Sequence, residues 1–257
     1  MRESTANPLE SCTIRHNLCF ATLALAGLCV LAHAADAAPI HALGNSTWLK
    51  CDPTEHQTLR CDYRSSESES ALTIQIDGKE LQPITATKFV DSDARHAVLL
   101  LVDISGGEAR ASAIRTSLDH ARAIAKTLSV NQTIALATFA NELNILSPLG
   151  TDVAVLDGAA AEVTPLDTPT ELYRVIIEAL KFLGRDTAER RTLIVFSDGR
   201  AEDTAYFPDD VVAEANRQGA VIYGVGYPSG DNGAAELQTL RRLSEATMGA
   251  FVGPPPP

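Results

Sequence analysis

A run of six apolar residues at positions 97–102 (AVLLLV) ends in Asp103 and most strongly constrains the fold of this chain. Since no polar residue interrupts the run, it predicts a β-strand covered on both faces, as in the centre of a parallel sheet. Further strand-like runs alternate with stretches whose apolar residues recur at helical spacing. These runs lie at residues 133–139, 192–196 and 221–225. The alternation across residues 95–253 predicts an α/β fold with a doubly wound, mainly parallel sheet flanked by helices.

The helices of this region are expected from the spacing of their apolar residues and from their boundary signals. Pro208 and Gly219 bracket one of them, which follows the preference for proline early in a helix and glycine just after its end. The predicted helices cover residues 114–128, 172–183, 208–218 and 236–248. Residues 142–146 predict an edge hairpin, and residues 250–252 a final short strand.

Residues 38–94 differ from this pattern and predict a small β module. Short runs of strand-forming residues occur at 47–50, 58–63, 71–76 and 84–90, and Asp77-Gly78 is a hairpin turn signal. At the other end of the chain, residues 254–257 are a proline-rich tail, either frayed or the start of a linker.

The first 37 residues resemble a secretory leader in their composition. Residues 18–32 carry no charge, and small residues follow at Ala34, Ala35 and Ala37. The uncharged run is shorter than a bilayer span, which favours a cleaved signal peptide at 1–37 over a retained membrane anchor. We therefore expect an exported chain, periplasmic or secreted, with no membrane span after cleavage.

Only two cysteines, Cys51 and Cys61, follow the predicted leader. An even pair in an exported protein predicts a disulfide. The alternative, a metal site that also uses His56, falls short of the usual four zinc ligands.

The overall charge narrows the classes of partner. The net charge is -12 and the apolar fraction is 45%, so the chain is globular and acidic. An acidic surface repels phosphate backbones, which argues against nucleic-acid binding.

Oxygen-bearing side chains stand where buried strands end. Asp103 and Asp198 each follow such a strand, and ligands of open parallel sheets bind outside these carboxyl ends. With the hydroxyls of Ser105 and Thr170 they form an all-oxygen set suited to Mg²⁺. Two facing carboxylates repel each other, which favours a positive charge between them. The alternative is that both acids only cap helices or accept hydrogen bonds from loop amides.

Three segments resemble the loops of the von Willebrand factor A (vWA) domain: Asp-Ile-Ser-Gly-Gly at 103–107, Pro-Thr-Glu-Leu-Tyr at 169–173 and Phe-Ser-Asp-Gly at 196–199. The resemblance covers roughly residues 97–252. It implies a metal-ion-dependent adhesion site in which four residues are ligands, directly or through water: Asp103, Ser105, Thr170 and Asp198. Gly107 stands where the family has a second serine, so one hydroxyl ligand is lost and the site is expected to be weaker.

The resemblance implies an exported protein-protein interaction module, used in adhesion or assembly, that binds a partner's Asp or Glu side chain through a divalent cation, most simply Mg²⁺. Tyr173, Tyr206 and Phe207 are candidates for an aromatic rim that contacts the partner, with core packing as their alternative role. One alternative is a metal-independent structural or scaffold subunit of an envelope assembly. A metal-dependent hydrolase is disfavoured, because the loops carry neither a second acid two residues after Asp103 nor a lysine for a phosphate. We therefore expect no enzymatic activity.

Overall fold

The computed structural model describes residues 93–128, 130–227 and 233–253, together with four short strands between residues 47 and 80. The chain divides into two compact units, Met1–Lys88 and Phe89–Pro257. The leader predicted at 1–37, the strand predicted at 84–90 and the tail at 254–257 lie outside the described residues.

The described part of the first unit consists of two antiparallel strand pairs. Strand β1 (Thr47–Asp52) pairs with β2 (Arg60–Ser65), and β3 (Gln75–Ile76) pairs with β4 (Lys79–Glu80) across a two-residue connection. The register of the first pair places Cys51 directly opposite Cys61. The disulfide stays a prediction, because the side chains of these strands lie outside the described residues.

The second unit is built on a six-stranded sheet. The strands are β5 (His96–Asp103), β6 (Gln132–Phe139), β7 (Leu143–Ser147), β8 (Arg190–Ser197), β9 (Ala220–Gly226) and β10 (Phe251–Val252). Their order across the sheet is β10-β9-β8-β5-β6-β7. All neighbours are parallel except β6 and β7, which form the antiparallel edge hairpin predicted from residues 142–146.

Among the described residues of this unit, five α-helices and a 3₁₀ helix at Gly107–Arg110 flank the sheet. The four predicted helices are present: those at 172–183 and 208–218 have the predicted bounds, and the ends of the other two are shifted by two or three residues. Asp152 begins an additional helix by accepting a hydrogen bond from the amide of Ala154. The α-helices are α1 (Ala111–Ala125), α2 (Val153–Ala161), α3 (Leu172–Leu183), α4 (Pro208–Gln218) and α5 (Gly233–Ala246).

Strand β5 is the centre of the core. Its residues alternate between the two faces, with Leu99 and Leu101 packed among α3, α4 and α5, and Leu100 and Val102 packed among α1 and α2. No residue from Ala97 to Val102 is more than 2% exposed, which confirms the strand covered on both faces. Of the helices that the structure describes, none is both long and apolar enough to cross a bilayer.

The order of the strands places a crevice between β5 and β8. The chain leaves β5 through α1 to reach β6 on one side, whereas β8, on the other side of β5, continues through α4 to β9. Since α1 and α4 pack on opposite faces of the sheet, the two connections diverge at the carboxyl ends of these strands. Asp103 is the last residue of β5, and Asp198 follows the last residue of β8, so both lie at this switch point.

Candidate functional site

The structure brings the four predicted site residues together in a buried polar cluster. The Ser105 hydroxyl donates to Oδ1 of Asp103 at 2.7 Å, and the Thr170 hydroxyl donates to Oγ of Ser105 at 2.6 Å. Asp198 belongs to the same cluster through a shared cation, described next. Each of the four residues is at most 2% exposed.

The shared cation is the guanidinium of Arg110, which the sequence reasoning missed. Its Nη1 lies 3.4 Å from Oδ2 of Asp103 and 3.5 Å from Oδ2 of Asp198. The same nitrogen donates to the carbonyl oxygen of Ser105 at 3.2 Å and to its hydroxyl at 3.0 Å. One side chain of this protein therefore supplies the positive charge that two facing carboxylates require.

The remaining donors of Arg110 are not used within the cluster. Its side chain is 12% exposed. Nε is buried and has no hydrogen-bond partner among the described residues, and the hydrogen bonds that Arg110 makes to them all come from Nη1. The edge of the guanidinium formed by Nε and Nη2 is thus left with unpaired N–H groups.

The backbone after β5 explains why Arg110 reaches back over Asp103. Gly106 and Gly107 have φ values of 84° and 61°, in the left-handed region that favours glycine. They lead directly into the 3₁₀ helix that ends at Arg110. A Cβ on Gly106 would lie 2.5 Å from Cδ of Arg110, so the missing side chain leaves the space that the arginine stem fills.

The same backbone explains the departure from the vWA loop pattern at Gly107. A residue with a side chain is strained at the positive φ of Gly107, although a Cβ there would make only ordinary van der Waals contact with Asp167. The amide of Gly107 also donates to the carbonyl oxygen of Leu166 at 3.0 Å, which holds the loop in this conformation. A serine at position 107 would therefore strain the loop that delivers Arg110.

Ser197 is a second member of the cluster that sequence reasoning missed. Its hydroxyl donates to Oδ2 of Asp103 at 2.8 Å and accepts from the amide of Gly199 at 3.0 Å. The available signal was its position as the last residue of β8, beside the end of β5. Ser197 links the loop after β8 to the carboxylate that ends β5.

The carboxyl of Asp103 is enclosed by these contacts. Burial raises the pKa of this carboxyl above its ordinary value, whereas the Arg110 guanidinium and two hydrogen bonds from Ser105 oppose the rise. Removing any of these donors would leave a buried carboxylate less well compensated.

Glu202 and Asp203, which follow Asp198 in sequence, hold the Thr170 loop in place. Glu202 accepts from the amide of Thr170 at 2.8 Å, and its own amide donates to the carbonyl oxygen of Thr170 at 2.8 Å. The Asp203 carboxylate accepts from the amides of Tyr173 and Arg174 in the first turn of α3. These acids therefore fix the relative position of two of the three loops.

The donor set in this arrangement does not fit a divalent cation. A serine hydroxyl has one donor and two acceptor positions, and Oγ of Ser105 already donates to Asp103 and accepts from Thr170 and Arg110. A cation in contact with Oδ2 of both Asp103 and Asp198 would have to displace Nη1 of Arg110. The magnesium site itself stays a prediction.

The three aromatic candidates differ in their surroundings. Phe207 is 61% exposed and Tyr206 is 37% exposed, both in the connection between β8 and α4. Tyr173 is half-buried against the core, and this burial raises the pKa of its hydroxyl above the ordinary value despite an opposing hydrogen bond with Thr239. Tyr206 and Phe207 therefore remain candidates for a rim, whereas Tyr173 packs within the domain.

Comparison with known proteins gives a family match and a shared fold. Residues 98–200 match the family model of the von Willebrand factor type A domain. An aerotolerance-related membrane protein from Bacteroides fragilis NCTC 9343 has a TM-score of 0.50 and 13% identity, over 62% of this chain and 91% of that chain. At this identity the likeness concerns the fold alone.

Two further solved structures align with the same part of the chain. Proximal thread matrix protein 1 from the mussel byssus has a TM-score of 0.49 and 19% identity, over 63% of this chain and 42% of that chain. The vWF domain of the type V pili tip protein Mfa5 from Porphyromonas gingivalis has a TM-score of 0.48 and 15% identity, over 63% and 90%. A search of the curated proteins found no match.

Proposed function

We propose that the von Willebrand factor type A domain matched at residues 98–200 makes this chain a protein-binding module of an exported protein. The binding face comprises the loops at the carboxyl ends of β5 and β8 and the segment from Leu166 to Thr170. Its position at the switch point of the sheet, where ligands of doubly wound folds bind, supports this assignment. Export rests on the leader predicted at residues 1–37 and on the Cys51 and Cys61 pair.

The observation that carries the proposal is the unpaired edge of Arg110. Nε is buried without a partner among the described residues, and a buried unpaired donor costs about 1 to 3 kcal/mol. A carboxylate accepts two parallel N–H bonds from one guanidinium edge, which matches Nε and Nη2. We therefore propose the side chain of an Asp or a Glu as the partner group; it would contact Nη2 of Arg110 first, because Nε itself is closed to solvent.

Apolar side chains at the same end of the sheet add contact area to this anchor. Phe207 is 61% exposed in the connection after β8, and Leu166 is 42% exposed in the segment bridged to Ser105. A cavity of about 410 Å³ lies next to the Asp198 loop and is lined by Tyr173 and Arg200 among others. Exposed aromatic side chains around a charged anchor are typical of interface hot spots.

A hydrolytic role finds little support in the surroundings of Asp103. A nucleophilic carboxylate must reach its substrate, but Asp103 is 2% exposed. Its two oxygens accept hydrogen bonds from Ser105, Ser197 and Arg110. Binding, rather than catalysis, is the proposed activity.

The test is photo-crosslinking in cells that produce the protein, with a benzophenone amino acid in place of Phe207. The matched control carries the same group in place of Val130, which is 99% exposed before β6 and therefore at the opposite edge of the sheet. We expect a protein adduct at position 207 and none at position 130. With the partner identified, Phe207→Ser should weaken binding about tenfold, as loss of a hot-spot side chain does.

The same experiment separates the proposal from the scaffold alternative. Adducts at position 130 without adducts at position 207 would indicate a structural subunit that uses other surfaces. Equal adducts at both positions, or none at either, would contradict a binding face at the strand ends.

A further inference from the structure

We propose that the guanidinium of Arg110 is the built-in cation of the strand-end cluster, and that it takes the place of a divalent metal ion between Asp103 and Asp198. For its role in partner binding this inference rests on the proposed function. Its test, however, needs no partner, so the two can fail separately.

The first support is the position of the charge. Nη1 lies at nearly equal distances, 3.4 and 3.5 Å, from one carboxylate oxygen of Asp103 and one of Asp198. These residues come from the ends of different strands, so the arginine bridges the crevice as a bound cation would. Both carboxylates are almost fully buried, and buried carboxylates require such compensation.

The second support is the saturation of the hydroxyl groups. Thr170 donates its hydroxyl proton to Ser105, and Ser105 donates to Asp103. The remaining acceptor position of Ser105 takes the N–H of Arg110 at 3.0 Å. Oγ of Ser105 therefore has no lone pair left for a metal ion while Arg110 is in place.

The third support is the shape of the loop. Gly106 leaves the hollow that the stem of Arg110 occupies, since a Cβ there would lie 2.5 Å from its Cδ. Gly107 has a positive φ that disfavours the serine found in the vWA pattern. The loss of one hydroxyl and the entry of the arginine thus belong to one backbone conformation.

The experiment compares Mn²⁺ and Mg²⁺ binding by the metal-free mature wild type, Arg110→Ala and Arg110→Gln, using calorimetry and thermal unfolding. The wild type should show no saturable heat and no change in melting temperature up to millimolar cation. Both variants should melt at lower temperature in metal-free buffer and recover on addition of Mn²⁺. Their Mn²⁺ binding should be at least about tenfold tighter than that of the wild type.

Two further variants control for charge and for the identity of the site. Arg115→Ala removes an exposed arginine from α1 and should behave as the wild type does. Adding Asp103→Asn to Arg110→Gln should abolish the recovery with Mn²⁺, because it removes a carboxylate from the cluster.

Two results would overturn the proposal. One is saturable binding by the wild type as tight as that of the Arg110 variants. The other is that the Arg110 variants fold but bind no metal. In that case removing the guanidinium would not open a site for a cation. Should neither variant fold, the wild type decides: saturable Mn²⁺ binding overturns the proposal, and no binding supports it. A missing adduct at position 207 would count against the partner face and leave these results unaffected.

Discussion

Gly106 is the residue on which the position of Arg110 depends, and it can be tested by adding a single methyl group. Gly106→Ala combines the strain of a positive φ with a clash against Cδ of Arg110. We expect it to destabilise the protein by about 3 kcal/mol, because the displaced guanidinium no longer places its positive charge beside two buried carboxylates. The free energy of unfolding from denaturant titration measures this.

Gly150→Ala is the matched control for Gly106→Ala. Gly150 has nearly the same φ, 82°, but a Cβ there would meet nothing within 4 Å. Gly150→Ala should lower the free energy of unfolding by only about 1 kcal/mol, because it adds only the strain of a side chain in the left-handed conformation. Equal losses of unfolding free energy in the two alanine variants would show that Gly106 does not make room for Arg110.

Ser197 offers a second test at the same scale. Ser197→Ala removes a hydrogen bond to the buried carboxylate of Asp103 and leaves the amide of Gly199 without its acceptor. We expect a loss of about 2 kcal/mol in the free energy of unfolding. Ser112→Ala, an exposed position on α1, should change stability by less than about 0.5 kcal/mol. A neutral Ser197→Ala would argue against a structural role for this hydroxyl.

Sequence patterns predicted the residues of the site better than the contacts among them. Asp103, Ser105, Thr170 and Asp198 could be located because strand ends meet at one edge of a sheet. Arg110 could not, because its direction depends on two glycines in the left-handed conformation, which no periodicity reports. The signal present in the sequence was an arginine seven residues after Asp103, within reach of an acidic pair.

Helices α1 and α2 are joined by an ion pair whose contribution depends on pH. The pKa of Asp157 in α2 lies below its ordinary value of 3.8, chiefly because Arg122 in α1 donates a hydrogen bond to it at 2.6 Å. Folding therefore favours the ionised form, so the stabilisation is complete above pH 3.8 and is lost as the pH falls through the lower folded-state value.

Asp157→Asn should accordingly be less stable than the wild type at neutral pH, and the difference should shrink towards zero in strong acid. Chemical unfolding at a series of pH values measures it, and high salt should reduce it at neutral pH. Asp119→Asn removes a pair that lies within α1 only, so it should change stability less at neutral pH. A difference that grows as the pH falls would contradict the ion pair.

Among the secondary-structure elements of the second unit, the spacing of apolar residues predicted the strands and the amphipathic helices but not α2. Amphipathic helices show apolar residues at a regular spacing, as α3 does. In α2 the sequence Val-Ala-Val-Leu-Asp-Gly-Ala-Ala-Ala is apolar on nearly every side, so that spacing is absent. Its start is set instead by the Asp152 cap, a local contact that spacing alone does not reveal.

The whole molecule is predicted to be processed and oxidised on export. Protein isolated from the producing cell should begin at residue 38, and its mass should be lower by two hydrogens than that of the reduced chain, because Cys51 and Cys61 are joined. The facing register of these residues in β1 and β2 supports the pair. Intact-mass measurement before and after reduction checks both points.

Cys51→Ser is the control, since its mass should not change on reduction. A full-length N-terminus would favour the retained anchor instead of a cleaved leader. Free thiols at Cys51 and Cys61 in the exported protein would rule out the disulfide.

The arginine between Asp103 and Asp198 also makes the positive charge of the cluster independent of the concentration of metal ions in solution. A dissolved ion fills most copies of a site only while its free concentration exceeds its dissociation constant, and a chelator removes it. A cation tethered to the same chain has a fixed, high effective concentration that no dilution alters. Such a cluster would keep its charge in surroundings poor in magnesium or rich in chelating acids, where a site that depends on a dissolved ion would lose its ability to bind.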